Sequence, residues 1–223
     1  MIVSIAIEIR PKFTTFCIAA PDWNENGLLF NIRHLERIPY RAYREVGQRL
    51  IEMGAKFDTF GIEGCHIYMN ATEIGMPVVN SIRQSSSTSG IQPVFMTMGQ
   101  VKPSTDEEGI SFGKAWLVSR LKVFLQEGRI RLPAALPDAK KLVEEILDFS
   151  PRLAHRASAD PDFFAVGPRD DLVSALGLAV HVDMRQPVSD SEPRSPVRLP
   201  PMPGAELDEL YDRLFRGDIF NGL

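Results

Sequence analysis

The sequence predicts an α/β protein: a mixed sheet, in which an antiparallel three-strand meander is followed by parallel strands, flanked by helices. Three observations lead there. β-rich runs separated by turn residues fill the stretch from Ile2 to Ile38. Beyond Tyr40 the apolar spacing turns helical and then alternates between strand and helix periods, as parallel strands joined by crossover helices require. Near the end, Leu172, Val173, Ala175, Leu176, Leu178, Ala179 and Val180 wrap nearly all round a helix that enters after Gly167-Pro168-Arg169-Asp170-Asp171. Such a helix is buried on most sides, with its two carboxylates at the rim.

Each element follows in order. Ile2–Arg10 and Phe13–Ala20 are strands joined by the tight turn at Pro11-Lys12, and Leu28–Ile38 is a third strand set off by Asn24-Glu25-Asn26-Gly27. Glu8 interrupts the first strand near its end, where a buried carboxylate costs several kcal/mol unless it is paired or bound to a metal. Tyr43, Val46, Leu50 and Ile51 are helically spaced, so a helix crosses back over the sheet. Cys65–Met69 is a fourth strand ending at Asn70, and His66 on it reads as a packed histidine, because no second His or Cys stands near. A turn and a helix with Pro77 in its first turn follow. A fifth strand is expected after Pro93, and Gly99–Gly109 reads as a polar loop.

Gly109–Ala115 falls one residue short of a phosphate-binding loop and lacks the hydroxyl that holds Mg²⁺, so nucleotide binding is excluded there. Instead, Ser111 is expected to cap a helix whose apolar face is Trp116, Leu117, Leu121, Phe124 and Leu125, ending at Gly128. Lys114, Arg120 and Lys122 on this helix, with Arg129 and Arg131 in a short strand after it, form the best basic patch. Leu136–Phe149 is a further amphipathic helix and 160–166 is extended. Residues 185–203 make a proline-rich linker, and 204–217 an amphipathic C-terminal helix whose apolar stripe needs a surface to cover it.

Composition bounds the function loosely. The 223 residues, 44% hydrophobic and 24% charged, suffice for one good core with a tail. A net charge of -4 argues against a non-specific coating of nucleic acid, so any such contact must use local basic patches. Cys17 and Cys65 lack partners at metal-ligand spacing and read as reduced thiols, which fits the cytoplasm. No apolar run reaches the roughly 18 residues of a membrane helix.

Three segments in the right order carry a resemblance. Pro168-Arg169-Asp170-Asp171-Leu172-Val173-Ser174-Ala175-Leu176-Gly177-Leu178-Ala179 is similar to a His-Asp-Asp-Leu-Val, Ala-Leu-Ala-Leu-Ala helix; Ile67–Val79, with Asn70-Ala71-Thr72-Glu73-Ile74-Gly75-Met76-Pro77-Val78, is similar to a strand and Asp-Ala-Thr-Gly-x-Gly-x-Pro-Val turn; and Lys114–Pro133 matches a Lys-led helix and strand. Together they resemble the ribonuclease H-like nuclease domain of tailed-phage terminase large subunits, over residues 1–184.

That resemblance implies endonucleolytic cleavage of double-stranded DNA with two Mg²⁺ or Mn²⁺ ions. It places metal ligands and catalytic groups at Glu8, Asn70, Asp170 and Asp171, and DNA contacts at Lys114, Arg120 and Arg129. It also implies a host-cell cytoplasmic site of action and, as partners, a terminase ATPase domain, small subunit or portal. The departures all weaken metal binding. Glu8 is one methylene longer than the family's aspartate, Asn70 removes a negative charge, and Arg169 adds a positive one beside the pair. Glu73 or Glu63 is positioned in sequence to compensate. The alternative is a catalytically inactive ribonuclease H-like domain that serves a packaging complex in DNA binding or assembly.

Overall fold

In the computed structural model, residues 2–24, 27–39, 43–86, 90–97, 102–147 and 170–180 are described. β1 (Ile2–Ile9) lies in the middle of a single mixed sheet, because it is the strand most completely apolar on one side. Val3, Ile5, Ile7 and Ile9 point to one face, and Ser4, Ala6 and Glu8 to the other, as the two-residue period of a strand dictates. β2 (Phe13–Asn24) and β3 (Gly27–Pro39) add antiparallel on one side of β1, while β4 (Gly64–Asn70), β5 (Ile91–Thr97) and β7 (Ile110–Gly113) add parallel on the other. The two edges are β6 (Ser104–Thr105), antiparallel to β7, and β8 (Ile130–Arg131), parallel to β3. The order is β6-β7-β5-β4-β1-β2-β3-β8.

Helices cover both faces. α1 (Tyr43–Gly54) and α2 (Gly75–Ser86) pack on the isoleucine side of β1. α3 (Lys114–Gln126), α4 (Ala139–Leu147) and α5 (Asp171–Ala179) share the core on the other. α5 is buried along its whole length and lies across β1 and β2, where the small side chains Ser4 and Ala6 let it approach. Its N-terminus therefore arrives over Glu8. α3 ends as the sequence indicates: Gly128, at φ +64°, accepts the left-handed conformation while Arg129 N–H donates to Phe124 O at 2.8 Å.

Several local expectations are corrected. Ser111 does not cap α3; it belongs to β7, where Ile110 and Phe112 alternate into the core, and Gly113 takes the N-cap position without a side-chain bond. β5 begins at Ile91 rather than after Pro93, because the β7 ladder starts only at Val94 and so never needs the missing proline N–H. The loop 99–109 contains β6. α4 starts at Ala139, beyond Pro137. His66 is exposed rather than packed. The extended segment 160–166, Arg169, the linker 185–203 and the helix 204–217 lie outside the described residues. No described helix is long and apolar enough to cross a membrane.

Candidate functional site

One row of residues crosses the sheet beneath the N-terminus of α5. Glu8 on β1 pairs with Thr15 on β2, Thr15 pairs with Arg37 on β3, and Asn70 stands at the end of β4 beside Glu8. Directly opposed residues share a face, so all four look toward α5. The two aspartates straddle this row.

On the Glu8 side lies a mixed charge cluster. Asn70 Nδ2 donates to both Glu8 oxygens, at 3.0 and 2.9 Å. The Thr72 N–H donates to Asn70 Oδ1 at 3.0 Å, which fixes the amide with its hydrogens toward Glu8. Arg10, on the same strand face as Glu8, brings Nε within 2.7 Å of Glu8 Oε1. Its other nitrogens reach Glu73 and, at 3.6 Å, Asp170 Oδ1. Lys114, the first residue of α3, pairs with Asp170 Oδ2. Burial pushes the Glu8 carboxyl up to about 7, against the pull of Arg10, Asn70 and Lys114, with Asp170 adding to the rise.

On the other side Asp171 is held in a buried clamp. Arg37 Nε and Nη2 donate to its two oxygens at 2.6 and 2.9 Å, and Thr15 Oγ1 donates to Oδ2 at 2.6 Å. Arg37 also pairs with Glu145 of α4, whose second oxygen accepts the Leu172 N–H at 3.0 Å. Asp138 accepts the Arg37 backbone N–H at 2.7 Å. Burial raises the Glu145 carboxyl despite Arg37.

The structure thus brings Glu8, Asn70, Asp170 and Lys114 together, with Glu73 at the rim, and turns Asp171 away from them. Glu63 precedes β4 and lies at the opposite end of that strand from Asn70. Arg120 lies further along α3 from Lys114, and Arg129 is distant. Arg129 donates to Leu28 O near the start of β3, so that about 30 Å of strand separates it from the level of Arg37. Both arginines stack on aromatic rings, Arg120 at 5.0 Å and Arg129 at 4.4 Å from the Phe124 centroid. Sequence reasoning missed Arg10, Arg37 and Glu145. Arg10 had a readable signal, two residues after Glu8 on the same face; the Arg37 clamp had none, since Arg37 meets Glu145 and Asp171 across more than a hundred residues of chain.

No protein-family model and no curated protein matches this chain. Solved structures do. The human cytomegalovirus terminase nuclease domain, in its Mn-soaked and inhibitor-bound form, aligns with a TM-score of 0.52 and 13% identity, covering 81% of this chain and 82% of that one. A second structure of that domain gives a TM-score of 0.51 at 14% identity over the same coverage. The chain has the terminase nuclease fold. Its architecture is ribonuclease H-like, as the three sequence segments implied.

The side chains do not, as they stand, fit the metal pair that the resemblance implies. A hard divalent ion needs oxygen lone pairs, and two ions are held by carboxylates shared between them. Asn70 turns amide hydrogens toward the centre, its oxygen is committed to Thr72, and the Glu8 oxygens are already occupied by Asn70 and Arg10. Among the described residues no group of three His, Cys, Asp or Glu side chains is arranged to hold a metal ion.

Proposed function

We propose that this chain serves a DNA-packaging complex as its terminase-nuclease-type domain, engaging double-stranded DNA without hydrolysing it. The observation that carries this reading is the orientation of Asn70, which donates to Glu8 where a two-metal hydrolase needs a ligand. Without paired cations no described side chain at this centre is placed to activate water or to stabilise the departing 3′ oxygen. What is left is a rim on which Lys114, the first residue of α3, stands beside Asp170, suited to phosphate oxygens. A terminase ATPase domain, small subunit or portal is the protein partner such a role calls for.

A second reading is favoured by a specific observation: Glu8, Asn70 and Asp170 converge from β1, β4 and α5, although they lie far apart in sequence. In it the chain is an endonuclease dependent on Mg²⁺ or Mn²⁺, with these residues as ligands. Supercoiled plasmid incubated with the protein in Mg²⁺, Mn²⁺ or chelator separates the two, alongside a mobility-shift titration with a linear duplex. Duplex binding with no nicking above the chelator control is the expected result. Metal-dependent nicking that disappears in Asp170→Ala establishes the endonuclease instead, and absence of both activities removes DNA as the partner.

A further inference from the structure

We infer that Arg10 is a resident cation, whose guanidinium does for this acidic centre what a bound divalent ion would do. The inference rests on the non-hydrolytic reading of the cluster and adds the reason for it. Three carboxylates meet at one guanidinium, each at a different nitrogen: Glu8 of β1 at Nε, Glu73 of the turn after β4 at Nη1, and Asp170 before α5 at Nη2. These carboxylates belong to three separate segments, and the guanidinium ties all three together by charge. A guanidinium stays protonated at any working pH, so it can neutralise them permanently.

The surroundings are consistent with a permanent occupant. Arg10 sits on the Glu8 face because it follows at the strand period, and its backbone closes the β1–β2 turn through mutual bonds with Phe13, at 2.8 and 3.3 Å. Its side chain is 23% exposed, and its Nε is buried against Glu8. Lys114 neutralises the far oxygen of Asp170. An aspartate at position 70 would add a further negative charge beside a fully buried Glu8; asparagine supplies two hydrogen bonds to it instead.

Melting the full chain with and without Mn²⁺, without DNA, tests this. The parent protein's Tm should be unmoved by millimolar Mn²⁺, and calorimetry should find no binding. Arg10→Ala should melt lower in chelator, because three carboxylates lose their shared cation, and should recover by about 4 °C or more in Mn²⁺. Arg10→Lys, which keeps the charge, should give no Mn²⁺ response. A parent Tm that rises with Mn²⁺ as far as the variant's overturns the inference, as does an Arg10→Ala variant that melts like the parent. If Arg10→Ala does not fold even when refolded in Mn²⁺, Arg10→Gln is read in the same way, and failure of both to gain a Mn²⁺ response also overturns it. The plasmid and mobility-shift results are separate measurements, so loss of DNA binding would remove the proposed role and leave the Arg10 result standing.

Discussion

Asp170 and Asp171 are neighbours in sequence, yet Asp170 pairs with Lys114 at the rim of the Glu8 cluster while Asp171 is gripped through both oxygens by Arg37. The helix start splits the pair between two charge systems. The Asp171 side chain is 6% exposed and that of Arg37 5%, whereas Asp170 is 19% exposed. Removing one partner of a buried, hydrogen-bonded ion pair leaves an uncompensated charge and costs about 3–5 kcal/mol. Exposed pairs are worth about 0–1 kcal/mol. Asp171→Ala should therefore destabilise the fold strongly and the half-buried Asp170→Ala much less, as read from urea midpoints. Equal losses would remove the clamp from the account.

Much of the fold and half of the site were legible in the sequence. Apolar alternation placed β1, and Glu8 near its end was legible as a carboxylate that needs a partner if buried; that Ser4 and Ala6 admit α5 on the same face was not. The turn at Asn70 and the Asp170-Asp171 helix start were readable as motifs, and they do converge with Glu8. The clamp was not readable, because Arg37 sits in a strand among charged residues where a solvated arginine looks the same as a buried one until β2 and α4 close over it. Ser111 misled for a related reason: a serine before a helix fits an N-cap, and only the burial of Ile110 and Phe112 on either side makes it part of a strand.

The α3–α5 packing makes a prediction of its own. A Cβ built on Gly177 would fall 2.8 Å from Leu117 Cγ, and Leu117 is itself buried in the core. Alanine in a helix interior gains about 1 kcal/mol over glycine, whereas overpacking a core costs about 1–3 kcal/mol. Gly177→Ala should lose stability on balance. In a Leu117→Ala background the same change should become stabilising, and a double-mutant cycle without that sign reversal would show that the two helices do not meet there.

Glu8 makes a pH prediction. Its carboxyl is raised from an ordinary 4.5 to about 7 by burial, with Arg10 and Asn70 opposing. Between those values the native chain binds more protons than the unfolded one. The stability that Glu8 contributes is thus complete below pH 4.5 and is lost as pH rises through 7, amounting to about 3 kcal/mol. Unfolding free energies at pH 4.5 and 7.5 should differ more in the parent than in Glu8→Gln, whose amide cannot titrate. The same difference in both proteins would show that the carboxyl titrates normally despite its burial.

DNA binding should separate the basic residues that the sequence grouped. Lys114 stands at the cluster rim with Asp170, while Arg129 is spent on Leu28 O and the Phe124 ring near the start of β3. Every phosphate that a side chain ceases to neutralise reduces the slope of log affinity against log salt by about 0.9. Lys114→Gln should weaken duplex binding and shallow that slope by about this amount, with little change in melting. Arg129→Gln should leave the slope intact and lower stability, because it removes a hydrogen bond and a ring stack rather than a phosphate partner. Mobility shifts from low to moderate salt, paired with melts of each variant, read both quantities. If Arg129→Gln shallows the slope and Lys114→Gln does not, DNA lies along the far end of α3 and the Glu8 cluster is not where this chain meets it.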